Sequence, residues 1–160
     1  MAKEIKTNVM RILEAEKIAY HPYYYENQDG KIDGVSVAAK LRQDVNRVFK
    51  TLVTRGASGA FFVFVVPVAE ELDLKAAAKS AGEKSVEMIH VSEINKITGY
   101  IRGGCSPVGM KKPYVTVLDS SCESLPTMIV SGGKIGTQVE LAPKDLIRLT
   151  NAKTAPIAVR

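Results

Sequence analysis

Two β-rich runs, Val48–Thr54 and Ala60–Val66, flank the short segment Arg55-Gly-Ala-Ser-Gly59, and no other feature constrains the fold of this chain as strongly. Aromatic and β-branched residues on either side of a glycine-containing turn read as an antiparallel hairpin. The second arm holds Phe61-Phe-Val-Phe-Val-Val66, an unbroken apolar run that reads as a buried strand. It is far short of the roughly 20 apolar residues of a membrane span. Pro67 closes it. A buried arm needs covering layers, so the other elements must pack around this hairpin.

Helix and strand signals alternate on both sides of it. Ile5, Val9, Ile12, Leu13 and Ile18 recur at helical spacing and predict an amphipathic helix over residues 5–17. Ala19–Tyr25 reads as a strand, and Pro22 restricts it to an edge or an irregular one. Glu26–Asp33 reads as a loop, Val35–Leu41 as a short helix, and Asp44 as the cap of a further turn. Asp73 caps a helix over Leu74–Ala81, with Gly82 at its end. Val86–Ile89 is a short strand, and a short helix from Ser92 stops at Gly99. Tyr114–Leu118, Thr127–Val130 and Thr137–Leu141 read as strands, the last two as a hairpin. Pro143 suits the first turn of a helix over 143–150, and Pro156–Val159 reads as a last strand. This mixture predicts an α+β fold, a mixed and largely antiparallel sheet with surrounding helices, over a doubly wound one.

With 160 residues and no repeat, linker or low-complexity segment, one domain over residues 1–160 is expected. The net charge of +5 permits contact with a nucleic-acid backbone without demanding it. Met1-Ala-Lys-Glu-Ile-Lys6 carries charges where a signal peptide needs an apolar region, so a cytoplasmic protein with no membrane association is expected. Cys105 and Cys122 form no C-x-x-C pair, and His21 and His90 stand alone. No metal site is expected. Neither a Walker sequence nor a strand–G-x-G-x-x-G–helix pattern is present, and no cofactor is expected.

Three segments carry the remaining chemistry. Alternation along the first hairpin arm puts Val48, Lys50 and Leu52 on one face and Phe49, Thr51 and Val53 on the other. If the Lys50 row faces inward, its ammonium needs a partner or a lowered pKa. If it does not, its stem packs while its head reaches water. Thr98-Gly-Tyr-Ile-Arg-Gly-Gly-Cys-Ser-Pro-Val-Gly109 and Ser131-Gly-Gly-Lys-Ile-Gly136 are glycine-rich. Such loops can present backbone N–H groups to an oxyanion, or can simply be turns. Arg102, Lys111, Lys112 and Lys134 lie in or beside them and would suit the end of a nucleic-acid strand, or a solvated surface. Cys105 reads as a buried, inert thiol. Ser106 and Ser131 lack a G-x-S-x-G elbow.

Lys50-Thr51-Leu52, the G-x-x-x-P-x-G pattern of Gly103 to Gly109, and Ser131-Gly-Gly-Lys134, in this order and spacing, resemble the YbaK/EbsC family. Supporting runs are Val66-Pro-Val-Ala69, Leu72-Asp-Leu-Lys75, Val86-Glu-Met88 and Thr98-Gly-Tyr100. The resemblance runs from about Thr7 to Val159 and is strongest to the free-standing cysteinyl-tRNA(Pro) deacylases. It implies a mixed sheet curled toward a barrel with surrounding helices. It also implies a trans-editing enzyme that removes a wrong amino acid from mischarged tRNA(Pro), with prolyl-tRNA synthetase as a weak or ternary partner. By the resemblance Lys50 and Gly103 are the catalytic positions. Tyr25, Thr51, Gly104, Pro107, Gly109, Ser131, Gly133 and Gln138 line the substrate. Gln138 stands where some members have aspartate, so hydrogen bonding remains there without an acid/base role. The loop Glu26–Asp33 lacks the phenylalanine of some relatives. The mechanism linked to the cysteine-specific relatives uses the substrate's own thiol to expel the tRNA. Water attack on an alanyl or other small aminoacyl ester is the alternative, and a silent tRNA-end or synthetase-binding module is another.

Overall fold

The computed structural model describes residues 5–159, so Met1–Glu4 of the charged N-terminal segment and Arg160 lie outside the described residues. Helix α1 spans Asn8–Ala15 and is shorter than residues 5–17. Thr7 sets its start, because the Thr7 hydroxyl accepts from Met10 N–H and caps the first turn. Strand β1 is His21–Tyr24, helix α2 is Gly34–Lys40 with Asp33 as its cap, and a single 3-10 turn follows at Val45–Arg47. The central hairpin is β2 Phe49–Gly56 and β3 Phe61–Pro67. Helix α3 covers Leu74–Ala81 between Asp73 and a left-handed Gly82, and β4 is Val86–Met88. A 3-10 turn at Val91–Glu93 leads into α4, Ile94–Thr98, which stops at Gly99. Then come β5 Val115–Asp119, β6 Met128–Ser131, β7 Thr137–Leu141, α5 Pro143–Thr150 and β8 Lys153–Ala155.

The fold is α+β, as the pattern of elements predicts. One sheet has the order β1-β7-β6 and the other β4-β2-β3-β5-β8. Four pairings are antiparallel, and β3–β5 and β5–β8 are parallel. A parallel bridge from Val48 to Ile129 joins the sheets where β2 begins. The curl stops short of a closed barrel, since β1, β4 and β8 remain edges. The last strand is displaced from its expected place at Pro156–Val159. Pro156 has no N–H to give a ladder, and β8 ends just before it. The Asp119 carboxylate accepts instead from Ile157 N–H at 3.0 Å and Ala158 N–H at 3.1 Å.

The hairpin is covered on both faces. Phe62, Phe64 and Val66 of β3 pack with Ala77 and Ala78 of α3 and with Ile157. Val65 turns the other way and joins Val9, Leu13, Val130, Val139 and Leu146 from α1, α5 and the smaller sheet. Each large apolar side chain buried in this way contributes about 1.5–3 kcal/mol. Phe49 of β2 joins one core and Leu52 packs against the other, while Lys50, Thr51, Leu52 and Arg55 remain half-buried.

Candidate functional site

The start of β2 opens into a cleft of about 690 Å³ between the two sheets and α2. Both faces of the strand reach it, Val48 and Lys50 from one and Phe49 and Thr51 from the other. The sequence pattern framed the choice as one face in and the other out. The structure places the cleft off the end of the strand, so neighbouring residues converge on it. The segment from Tyr25 to Val37 forms one wall. Arg102, Gly103 and Cys105 form another, and Ser131, Thr137 and Gln138 come from the β6–β7 hairpin.

Lys50 is half-buried, and among the described residues its ammonium makes no hydrogen bond or ion pair. One carboxylate lines the cleft among the described residues, that of Asp33, and it is committed to capping α2 by accepting from Ser36 N–H at 3.1 Å. Hydrogen bonding from Ser36 holds this carboxyl below its ordinary value. The Thr51 hydroxyl oxygen is buried and has no hydrogen-bond partner. Gln138 is buried in the floor, where its Oε1 accepts from Gln43 Nε2 at 2.8 Å. An unpaired cation and an unsatisfied hydroxyl at one opening suit an anionic or polarised oxygen ligand.

The two glycine loops pack against each other. A Cβ on Gly104 would sit 3.1 Å from Ile135 N, against the backbone of the second loop. Gly103 has φ +87°, and a Cβ there would meet Ile32 Cδ1 at 2.7 Å. Only glycine combines that dihedral with that neighbour. Gly104 N–H donates to Ile101 O and Gly133 N–H to Ser131 Oγ, so neither N–H is open to a ligand. Among the described residues Gly103 N–H has no partner.

Six of the residues expected at a site therefore line one cleft: Lys50, Gly103, Tyr25, Thr51, Ser131 and Gln138. Gly104 lies behind them, between the loops. Pro107 and Gly109 line a second hollow of about 350 Å³ on the far side of the first loop. A Cβ on Gly133 would point at Val9 and Tyr100, and one on Gly109 at Ile12 and the Tyr100 hydroxyl. These positions brace the loops around Tyr100, whose hydroxyl donates to Val108 O. Lys111 and Lys112 also border the second hollow and not the cleft.

Cys105 lines the cleft, and burial pushes its thiol up to about 11, so it is protonated at neutral pH. Neither histidine lines the cleft, and no group of three metal-ligating side chains occurs among the described residues. Sequence reasoning missed Ile32, Gly34, Val37 and Val68 as cleft residues. Gly34 carried the usable signal. A Cβ there would lie 2.2 Å from Val68 Cγ1, so glycine directly after a helix cap marked a close approach.

A family model described as "Aminoacyl-tRNA editing domain" matches residues 32–149. The chain is 44% identical over 155 residues to a protein of Enterococcus faecalis named "Putative Cys-tRNA(Pro)/Cys-tRNA(Cys) deacylase EbsC", covering 97% of this chain and 94% of that one. A crystal structure of "a putative trans-editing enzyme for prolyl tRNA synthetase" superimposes with a TM-score of 0.80 at 23% identity, over 98% of this chain and 100% of that one. A crystal structure of a hypothetical protein gives a TM-score of 0.85 at 24% identity, over 94% and 99% of the two chains. At those identities the two structures speak for the fold.

Proposed function

The chain belongs to the aminoacyl-tRNA editing domain family, and from that premise we propose that it is a deacylase that clears cysteine from mischarged tRNA(Pro). The carrying observation is the pairing of an unpartnered Lys50 ammonium with a cleft that holds no activated nucleophile. Acyl transfer needs an attacking group, and among the described residues the cleft lining offers a protonated Cys105 thiol and hydroxyls that make no hydrogen bond to a carboxylate or histidine. A cysteinyl ester brings its own thiol. Attack of that sulfur on the ester carbonyl breaks the bond to the ribose oxygen, releases the tRNA hydroxyl with the thiol proton, and leaves a cyclic thiolactone.

The protein's part is then position and electrostatics. Lys50 orients the terminal phosphate or the amino-acid end. Gly103 N–H faces the carbonyl oxygen as negative charge develops, and a preorganised donor of this kind is worth about 3–4 kcal/mol. Thr51, Ser131, Tyr25 and Gln138 complete the polar lining. Gly104, Pro107, Gly109 and Gly133 support the reading as loop-forming residues. Charged tRNA is the substrate, and prolyl-tRNA synthetase supplies tRNA selectivity through a weak ternary contact.

The test is hydrolysis of cysteinyl-tRNA(Pro) and alanyl-tRNA(Pro) side by side, with the released amino-acid product identified. Cleavage of the cysteinyl ester with thiolactone as first product is expected. Equal turnover of both esters with free amino acid as first product overturns the thiol-assisted route. No turnover of either overturns the enzyme reading.

A further inference from the structure

The cleft wall from Glu26 to Ile32 contains no helix or strand. Its internal bonds are few: Gly30 N–H to Asn27 O, Ile32 N–H to Gly30 O, and Lys31 N–H to Asp29 Oδ1. Among the described residues, every hydrogen bond that ties 26–32 to the rest of the chain ends on one atom, Lys40 Nζ. It donates to Glu26 O at 2.6 Å, Asp29 Oδ1 at 2.8 Å and Lys31 O at 3.0 Å. A lysine ammonium has three donors, and all three are used here. The same nitrogen stands 6.0 Å from the centroid of the Tyr25 ring.

Lys40 is therefore no solvated surface charge. Its side chain is 21% exposed, and it projects from the last turn of α2, which Val37 and Ala38 anchor in the interior. The segment it holds delivers Ile32 to the cleft, against the bare α-carbon of Gly103. With the clasp made, Ile32 shares the cleft lining with Lys50 and Thr51 as an apolar member. Without it, no hydrogen bond among the described residues ties 26–32 to the rest of the chain, and packing against Gly103 is left to hold Ile32.

We propose that Lys40 is a positioning residue that clasps residues 26–32 as a wall, so that Ile32 limits the size of the amino-acid side chain the cleft admits. The size limit rests on the aminoacyl-ester reading of the cleft, while the clasp stands without it. Size filters of this sort discriminate by about tenfold or somewhat more for each added group.

Two readouts test it. Amide hydrogen exchange on the whole protein compares wild type, Lys40→Met and Lys40→Arg. Exchange in 26–32 is expected to quicken about tenfold or more in Lys40→Met, with β2, β3 and α5 unchanged, and to return most of the way in Lys40→Arg. Binding of 3′-aminoacylamino-adenosine probes, which cannot be hydrolysed, compares cysteinyl with leucyl. The wild type is expected to prefer the cysteinyl probe, and Lys40→Met to lose about tenfold of that preference, which Lys40→Arg restores. Unchanged exchange in Lys40→Met overturns the clasp. Quickened exchange with an unchanged binding ratio, or a wild type that favours neither probe, overturns the size limit. Because neither readout needs turnover, an inactive protein that passes both would sink the deacylase reading and leave this one intact.

Discussion

Strand β2 carries two cations on opposite faces, and they are treated in opposite ways. Arg55 is fully settled. Its guanidinium donates to Glu93 Oε2 at 2.6 Å and lies 5.1 Å from the Phe61 ring centroid. Lys50, near the other end, is also half-buried and has no partner in the described chain. The same strand and the same backbone ladder support both. What differs is the surroundings: Glu93 arrives from the turn before α4, while among the described residues no carboxylate forms an ion pair with Lys50. Among the described residues the fold pairs one cation closely and leaves the other without a protein partner. That contrast distinguishes a paired charge from an unpaired one more clearly than either residue's sequence context.

The largest effect that would break the comparison comes from between the two cations. Phe64 is fully buried and stands opposite Leu52 in the β2–β3 register. Phe64→Ala should cost about 3–5 kcal/mol of stability in a urea titration and unsettle both ends of the strand. Next is Lys50→Ala. Deacylation should fall about 100- to 1000-fold, or about 3–4 kcal/mol, while the urea midpoint stays put or rises because no ion pair is lost. Retained activity would show that the unpaired cation is idle.

Cys105→Ser sharpens the same point and should leave turnover within about threefold, because a residue of similar size keeps the cleft filled and supplies no attack either way. A collapse in turnover would mean that the chain provides its own nucleophile. Burial also pushes Cys122 up to about 11 from an ordinary 9.0, as it does Cys105. Above about pH 9 the unfolded chain ionises these thiols first, so stability should fall from there through about pH 11. An equilibrium unfolding series across that range checks the sign.

The smallest effect belongs to Arg55→Gln, which should barely move the melting temperature and leave deacylation unchanged, since partly exposed ion pairs add little. The Arg55 hydrogen bond is the main reason the Glu93 carboxyl lies below its ordinary 4.5. Its contribution is present above that value and is lost as pH falls through the lower folded-state value. The Arg55→Gln variant should accordingly show a flatter acid limb than wild type.

Elements with local instructions were legible in the chain. Asp73 and Gly82 delimit α3 because a cap hydroxyl or carboxylate and a left-handed glycine act within one turn. Thr7 was an equally local signal for the start of α1, overlooked because the apolar spacing ran past it. β8 was illegible for a different reason. It exists through parallel pairing of Lys153–Ala155 with Val117–Asp119, a contact that no neighbouring residue announces. At the site, the order of Lys50, Gly103 and Ser131 marked one cleft, and Gln138 and Tyr25 joined it. The glycine pattern could not say which way each loop position faces. Packing around Tyr100 turned Gly109 and Gly133 away from the cleft. Ile32 and Lys40 sat in segments that read as plain loop and short helix.

The amino-acid order by itself determined the class of fold, the hairpin at its centre, and a family signature, because caps, turn residues and apolar runs act over a few neighbours. Tertiary structure alone decided which charges are paired, which glycine N–H groups stay open, and which loop becomes a wall. Those outcomes depend on atoms distant in sequence that share a few ångströms of space, as Lys40 with Glu26 and Gln43 with Gln138 do.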